Sequence, residues 1–346
     1  MKKLLLALFA LSLFSFNAKA QNNDGLESIL LAGEDAGKLT QAYINPAMEG
    51  LILGMNNGWY HTAKVHKVLG FDISFGLNAS IVPTEQEIFR FADLGLSNNV
   101  SFSSPTGATV AGPNDLKPSV TFNGTVQGQN VSATFDMPGG VKDDLPLNAV
   151  PTPYIQLSVG LPWKLEGMLR YIPESVASSD DVSGNLLGIG VKKEITSWFG
   201  PMEKLPLHIS LLASYTTMSV DYDIQSQSSI AGSGQRAEFD LNSYNVEAIA
   251  SLNFPFINIY GGFGYNSGNS DLRMLGTYNL EYETGLPAPN DSVTETVVDP
   301  LLLNFEATGF KATVGARISL GFFKIYGSYT MQEFNTLNAG IAFSIR

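Results

Sequence analysis

The sequence predicts an all-β protein, a transmembrane antiparallel β-barrel of 12 to 14 strands with a short N-terminal helical plug. Long segments alternate apolar with polar or small residues. The chain carries 34 glycines, 21 phenylalanines and 13 tyrosines, and only 15% of its residues are charged. Successive side chains of a strand point to opposite faces, so a strand between lipid and a wet lumen must alternate in this way.

The first residues are read separately. Lys2 and Lys3 precede an apolar run at 4–16, and Ala18-Lys19-Ala20 supplies small residues for cleavage. This is the pattern of a secretory signal peptide at 1–20, with cut after Ala20. The run is shorter than the roughly 20 residues a spanning helix needs. With no cysteine in the chain, acylation as a lipoprotein, disulfides and thiolate metal sites are excluded. Loss of Lys2, Lys3 and Lys19 takes the net charge from −12 to about −15. Nucleic acid is therefore not an expected partner, because neutralising phosphates requires a basic face.

Residues 21–48 read as a plug or hatch. Leu26, Ile29, Leu30, Ala36 and Leu39 lie among Glu27, Glu34, Asp35 and Lys38 without a period of two, and Tyr43-Ile44-Asn45-Pro46-Ala47 follows. Pro46 removes a donor and clashes with a preceding helical turn, so a sharp change of direction is expected there. Residues 49–346 read as the barrel. Within 51–64, Asn56-Asn57-Gly58 reads as a tight hairpin turn, which brings the crossings to twelve. Residues 69–81 alternate for their whole length, with Phe71, Ile73, Phe75 and Leu77 on one face and Asp72, Ser74, Gly76 and Asn78 on the other. A long outer loop is expected at 84–152, with a hairpin of its own from 120–126 and 131–135.

The alternation returns at 205–216, 244–254, 272–282, 310–320 and 337–345. Segments of this length exceed the 5 to 6 residues usual for a sandwich strand, and Asp72, Glu247, Arg273, Lys311 and Arg317 in strand interiors suit a wet lumen. Leu272, Met274, Tyr278 and Leu280 are assigned to one face, with Arg273 and Glu281 on the lumenal one. The strand that contains them is expected to rise from near Phe256, with a bulge at 266–270. Connections at 162–164, 255 and 320–321 are short and read as periplasmic. Loops at 84–152, 174–183, 225–236 and 284–298 are long and read as extracellular. Residues 193–202 read as a short interfacial helix, and Trp59, Trp163 and Trp198 as aromatic anchors at the membrane interface.

Plug and gate residues are Leu26, Ile29, Leu30, Tyr43, Ile44, Asn45, Pro46 and Ala47. Of these, Leu26, Ile29, Leu30, Tyr43 and Ile44, with the irregular apolar residues Leu212, Ile249 and Leu275, are expected to line a small amphipathic pocket suited to one acyl-like ligand.

Asn45-Pro46-Ala47 after an N-terminal hatch resembles the outer-membrane long-chain fatty-acid transporter superfamily. Asn56-Asn57-Gly58-Trp59-Tyr60, residues 66–72, residues 188–192 and Lys204-Leu205-Pro206 resemble more closely an uncharacterised outer-membrane barrel family of Bacteroidota. The resemblance implies a barrel with an N-terminal hatch that passes a hydrophobic molecule.

Two functions are expected from this. The first is a gated channel for a small hydrophobic or amphipathic molecule. The second is a structural or partner-binding surface barrel, a scaffold or secretion-associated shuttle, whose outer loops bind a protein. Membrane lipid, lipopolysaccharide and a fatty-acid-like ligand are the other expected partners, in the outer membrane of a Gram-negative bacterium. Asp143-Asp144 and Asp180-Asp181 read as solvated acidic loops, with a cation bridge to lipopolysaccharide as the alternative. No enzyme, cofactor or metal is expected: the histidines are His61, His66 and His208, and neither G-x-S-x-G nor H-E-x-x-H occurs.

Overall fold

The structure is a computed structural model and describes residues 26–174, 182–224 and 230–345. The signal peptide read at 1–20 and parts of the outer loops at 174–183 and 225–236 lie outside the described residues. Among the described residues, sixteen strands follow one α-helix. The helix, α1, is Ala36–Met55, and the first strand, β1, is Phe71–Ile81. The loop after it contains the short strands Ile88–Arg90 (β2), Val100–Phe102 (β3) and Thr106–Ala108 (β4), then the expected hairpin of Ser119–Val126 (β5) and Gln129–Asp136 (β6). The long strands are Ala149–Leu161 (β7), Leu165–Ile172 (β8), Val182–Glu194 (β9), Leu207–Asp223 (β10), Gly232–Asn253 (β11) and Ile257–Glu283 (β12). Ser292–Val298 (β13), Leu301–Leu320 (β14), Phe323–Met331 (β15) and Thr336–Ile345 (β16) complete the chain.

Ten strands close a ring in the order β1, β7, β8, β9, β10, β11, β12, β14, β15, β16 and back to β1. Every neighbour is antiparallel, and the seam runs from Phe71↔Ile345 to Ser80↔Thr336. The sheet as a whole has 14 strands, but β3, β5, β6 and β13 belong to the loops, so the wall has fewer crossings than the 12 to 14 expected. The missing crossings fall at 51–64, where there is no hairpin: the chain there is the end of α1 and an irregular segment inside the ring. The expected long strand β12 is present, but its ladder to β14 is unbroken through 266–270. The irregularity lies instead between Ser233 and Arg236 of β11. The connections at 162–164, 254–256 and 321–322 fall at one end of the ring, where residues 196–204 form a short 3-10 helix, and residues 332–335 join β15 to β16 at the other.

Polarity reverses along the tall strands. On β14, the outward set at the short-turn end is Phe310, Val314, Ile318 and Leu320, and the inward set is Lys311, Thr313, Arg317 and Ser319. Above Phe310 the outward residues become Asn304, Glu306 and Thr308, while Leu303, Phe305 and Ala307 are buried inside. β11 changes in the same way. Tyr244, Val246 and Leu252 face out below; above, Phe239 and Leu241 are buried and Asp240 takes the outer face with Arg273 of β12 as its partner. The reversal has a physical reason. Lipid demands an apolar exterior for about 9 to 11 residues of each strand, and beyond it the exterior meets water while the interior must be packed. Tyr215, Tyr244, Tyr265 and Phe310 stand at the change, where an aromatic girdle belongs.

The assignment of Leu272, Met274, Tyr278 and Leu280 to the outer face is thereby corrected: they are buried inside, and Arg273 is outside. Ala248→Arg, in the middle of the belt, is expected to cost about 2–4 kcal/mol in lipid vesicles. Asn269→Arg, outward but above the belt, should stay within about 0.5 kcal/mol. Urea titration of both variants checks the boundary, and equal costs would put it elsewhere.

Candidate functional site

A ring of about eight strands is filled by its own side chains. Ten strands leave room for one helix, and α1 occupies it. Leu39, Tyr43, Ile44, Met48, Leu51, Ile52 and Met55 recur every three or four residues and are buried, which is the spacing of an apolar helical face. The helix runs through Pro46. Proline deletes one internal hydrogen bond and disfavours the helix by about 3 kcal/mol, yet the surrounding wall keeps both halves in line. The change of direction expected at Pro46 is absent, and the lumenal segment extends past residue 48, to Gly70.

The helix ends inside the lumen, so its last four carbonyls need partners. Asn56 donates from Nδ2 to Ile52 O (3.4 Å) and Asn57 from Nδ2 to Leu53 O (2.8 Å). Gly54 O accepts from Asn78 Nδ2 at 3.0 Å, and Met55 O from Arg170 Nη1 at 3.2 Å. Beyond the helix, Lys311 donates to Asn56 O at 2.7 Å and Arg170 to Asn57 O at 2.9 Å. Two cations of the wall thus meet the negative end of the helix dipole. Gly58 follows at φ 72°, the usual residue just past a helix end, and a Cβ there would lie 2.7 Å from the Tyr154 ring.

Arg170 is buried, with its guanidinium carbon 4.0 Å from the Trp59 ring and 4.2 Å from that of Tyr154. Tyr154 has room because its ring lies over Gly76 of the neighbouring strand. Trp59 is therefore a lumenal residue, 1% exposed, and not an interfacial anchor; Trp163 and Trp198 are 81% and 68% exposed at the short-turn end.

Residues 60–70 are tied to the wall almost one by one. Tyr60 donates to Glu247 (2.9 Å), which pairs with Lys311 (2.6 Å). His61 Nε2 lies 3.2 Å from Asp72, and Arg317 reaches His61 Nδ1 at 3.0 Å. The Ala63 amide donates to Ser251 (3.0 Å) and that of Val65 to Glu194 (3.2 Å). His66 spans Asp72 (3.3 Å) and Glu166 (2.8 Å), and Glu166 pairs with Lys192 at 2.7 Å. His208, at the start of β10, pairs with Glu194. Asp72, Glu247, Lys311 and Arg317 face the lumen as expected, but they bind the plug instead of lining a water-filled pore.

The interior divides in two. Ile29, Leu30, Tyr43 and Ile44 share one apolar cluster with the crown strands, while Leu212 and Ile249 belong to another with Trp59, Tyr60, Met168 and Tyr260. Leu275 is half-buried opposite Arg236. The pocket expected from these residues does not form, because they lie at different depths. Pro46 and Ala47 are buried in mid-helix, and Asn45 is half-exposed with its amide 2.8 Å from Glu49. Leu26 opens the 3-10 segment before α1; its side chain is outside the described residues. An open cleft of about 590 Å³ lies in the crown, lined by Asn99, Asn123, Asn130, Glu283 and Thr284.

The residues that sequence reasoning missed are Arg170 and Lys192, and the capping role of Asn56-Asn57-Gly58. An Asn-Asn-Gly run after an amphipathic helix is a helix-stop signal, and it was available in the sequence.

A closed ring with an apolar belt and a lumen filled by its own N-terminal segment defines a plugged transmembrane β-barrel, with the fold of an outer-membrane protein. A family model matches residues 1–345, and the chain belongs to that family, DUF6588, a family of unknown function. No curated protein matches it. Among solved structures it is similar to Ail, the attachment invasion locus protein of Yersinia pestis, at 8% identity, covering 81% of this chain and 100% of that one, with a TM-score of 0.28. It is similar also to the translocator domain of the autotransporter NalP from Neisseria meningitidis (9% identity, 80% and 89% covered, TM-score 0.28). The ferric-catecholate import receptor Fiu of E. coli K12 gives 9% identity, 77% and 55% coverage and a TM-score of 0.26. None of these likenesses bears on function.

Proposed function

We propose that the protein is a sealed barrel of the Gram-negative outer membrane that works from its long-loop crown as a partner-binding surface. One observation carries this reading: residues 26–70 fill the lumen from the crown to the short-turn end, held by buried cations and paired carboxylates. A plug held at so many points is a structural filling. Loops positioned by a rigid scaffold are where binding residues concentrate, and the tall strands β10 to β14 hold this crown clear of the membrane. In planar bilayers the wild-type protein is expected to show no steady conductance, and a chain lacking residues 22–55 should conduct. A conducting wild type would overturn the proposal.

The apolar upper half of the lumen favours a second reading, the gated passage of a hydrophobic molecule. There Ile29, Leu30, Leu39 and Tyr43 share one cluster with Phe239, Leu241, Leu303 and Phe305, a lining that a rearranged plug would offer to an acyl chain. Kinship with the fatty-acid transporter superfamily and with a Bacteroidota family belongs to this reading. A stoichiometric fatty acid or lipid seen by native mass spectrometry of the detergent-extracted protein would favour it, and a stoichiometric protein would favour the first.

A further inference from the structure

We propose that the open edge of β14, from Leu302 to Thr308, docks an extended, positively charged polypeptide segment as an added strand. This deepens the partner-binding reading and rests on it. β14 pairs with β12 from Leu301 to Ile318, but with β15 only from Ala312 downward. Among the described residues, no strand pairs with residues 302–310 on that second side. Alternate residues of a strand direct their N–H and C=O to opposite neighbours. Ser319 donates to Phe256, on the β12 side, so the even-numbered residues face the open edge. Gln41 confirms the direction, donating from its side chain to Asn304 O at 3.1 Å.

The edge borders a slot in the crown. Its floor is the polar stripe of α1, where Lys38 and Gln41 are exposed and Asn45 and Glu49 half-buried. Its far side is the segment 86–95, which Lys38 reaches at Gly95 O (2.5 Å) and which holds Glu49 through Gln86 (3.0 Å). Glu49, Glu306 and Glu333 have no cation partner among the described residues, and Lys38 is already shared with Asp35. Burial, then the neighbouring Glu49, raises the pKa of Glu333 above its ordinary value. An unpaired strand edge is a template for strand addition, and this rim selects a basic occupant. Two copies of this chain would bring one acidic rim against another, which like charges across paired strands disfavour.

The test uses the full-length protein in an uncharged maltoside detergent. The probe is a fluorescein-labelled ten-residue peptide of alternating Lys and Thr, with a Glu–Thr peptide as its counterpart. The Lys–Thr peptide is expected to raise anisotropy and to slow hydrogen exchange at the amides of Leu302, Asn304, Glu306 and Thr308. Glu306→Pro removes an edge donor while sparing the ladder to β12, and should weaken binding by about tenfold or more. Heat-dependent gel mobility reports whether it folds. If it does not, Glu306→Lys replaces it and should weaken binding by repulsion. Binding without protection of those four amides, equal binding of the Glu–Thr peptide, or self-association that Glu306→Pro abolishes would overturn the proposal. Its failure is distinct from failure of the partner-binding reading: a silent wild-type bilayer without peptide protection removes only the edge, whereas a conducting wild type removes both.

Discussion

Lys311→Met is expected to destabilise the folded barrel by about 3–5 kcal/mol, the cost of breaking a buried ion pair from one side. Lys311 and Glu247 are 2.6 Å apart with side chains 1% exposed each. Methionine keeps most of the volume and removes the charge, leaving Glu247 with Tyr60 and Asn245 as neutral donors. The Asn56 carbonyl loses its donor at the same time. Adding Glu247→Gln should recover most of the loss, because the stranded charge is what costs, and replacing both members of a buried pair is often close to neutral. Urea titration in lipid vesicles measures both variants. A loss below about 1 kcal/mol for the single change would mean that water reaches Glu247.

Arg170→Ala should have a comparable effect by a different route. Arg170 faces no carboxylate among the described residues, and its charge is held by the Met55 and Asn57 carbonyls, Gln156 and two aromatic faces. The two charge-assisted hydrogen bonds to the Met55 and Asn57 carbonyls, at roughly 1.5–3 kcal/mol each, alone give an expected loss of about 3–6 kcal/mol. Arg170→Lys keeps the charge but not the planar fork, and should fall between the two. With Trp163 and Trp198 replaced by phenylalanine, Trp59 becomes the only fluorophore of its kind, and acrylamide should quench it more strongly in Arg170→Ala. Unchanged quenching would mean that α1 is held without Arg170.

The strands were legible because a two-residue period needs no tertiary information: β1, β10, β11, β12, β14 and β16 all fall where the alternation placed them. Which face was inside was legible within the belt, where Asp72, Glu247, Lys311 and Arg317 fall inward as expected, but not above it. A period of two defines two faces without naming them, and in β12 the sign changes between Tyr265 and Leu272, where lipid gives way to water. The plug was legible as a segment but not in extent. Pro46 argued for a break that packing overrides, and Asn56-Asn57-Gly58 fits a hairpin turn and a helix end equally well. The pairing of the plug with the wall was out of reach, since Arg170, Lys192 and Lys311 are scattered charges until the ring aligns them. The pocket proposed for Leu212, Ile249 and Leu275 failed for the same reason: sequence supplies apolar residues but not their height in the barrel.

The seam between β1 and β16 joins strands that lie at opposite ends of the barrel sequence. The filling segment is made first, yet its end is gripped by side chains from β8 and β14, and the ring closes only when the last strand arrives. Threading a helix into a finished cylinder would leave the Met55, Asn56 and Asn57 carbonyls, whose donors lie in the wall, without those partners until the segment was seated. The wall must therefore be laid around its contents during biogenesis, and the seal is inherited from the order of assembly, much as a ship in a bottle is inherited from the glassblower.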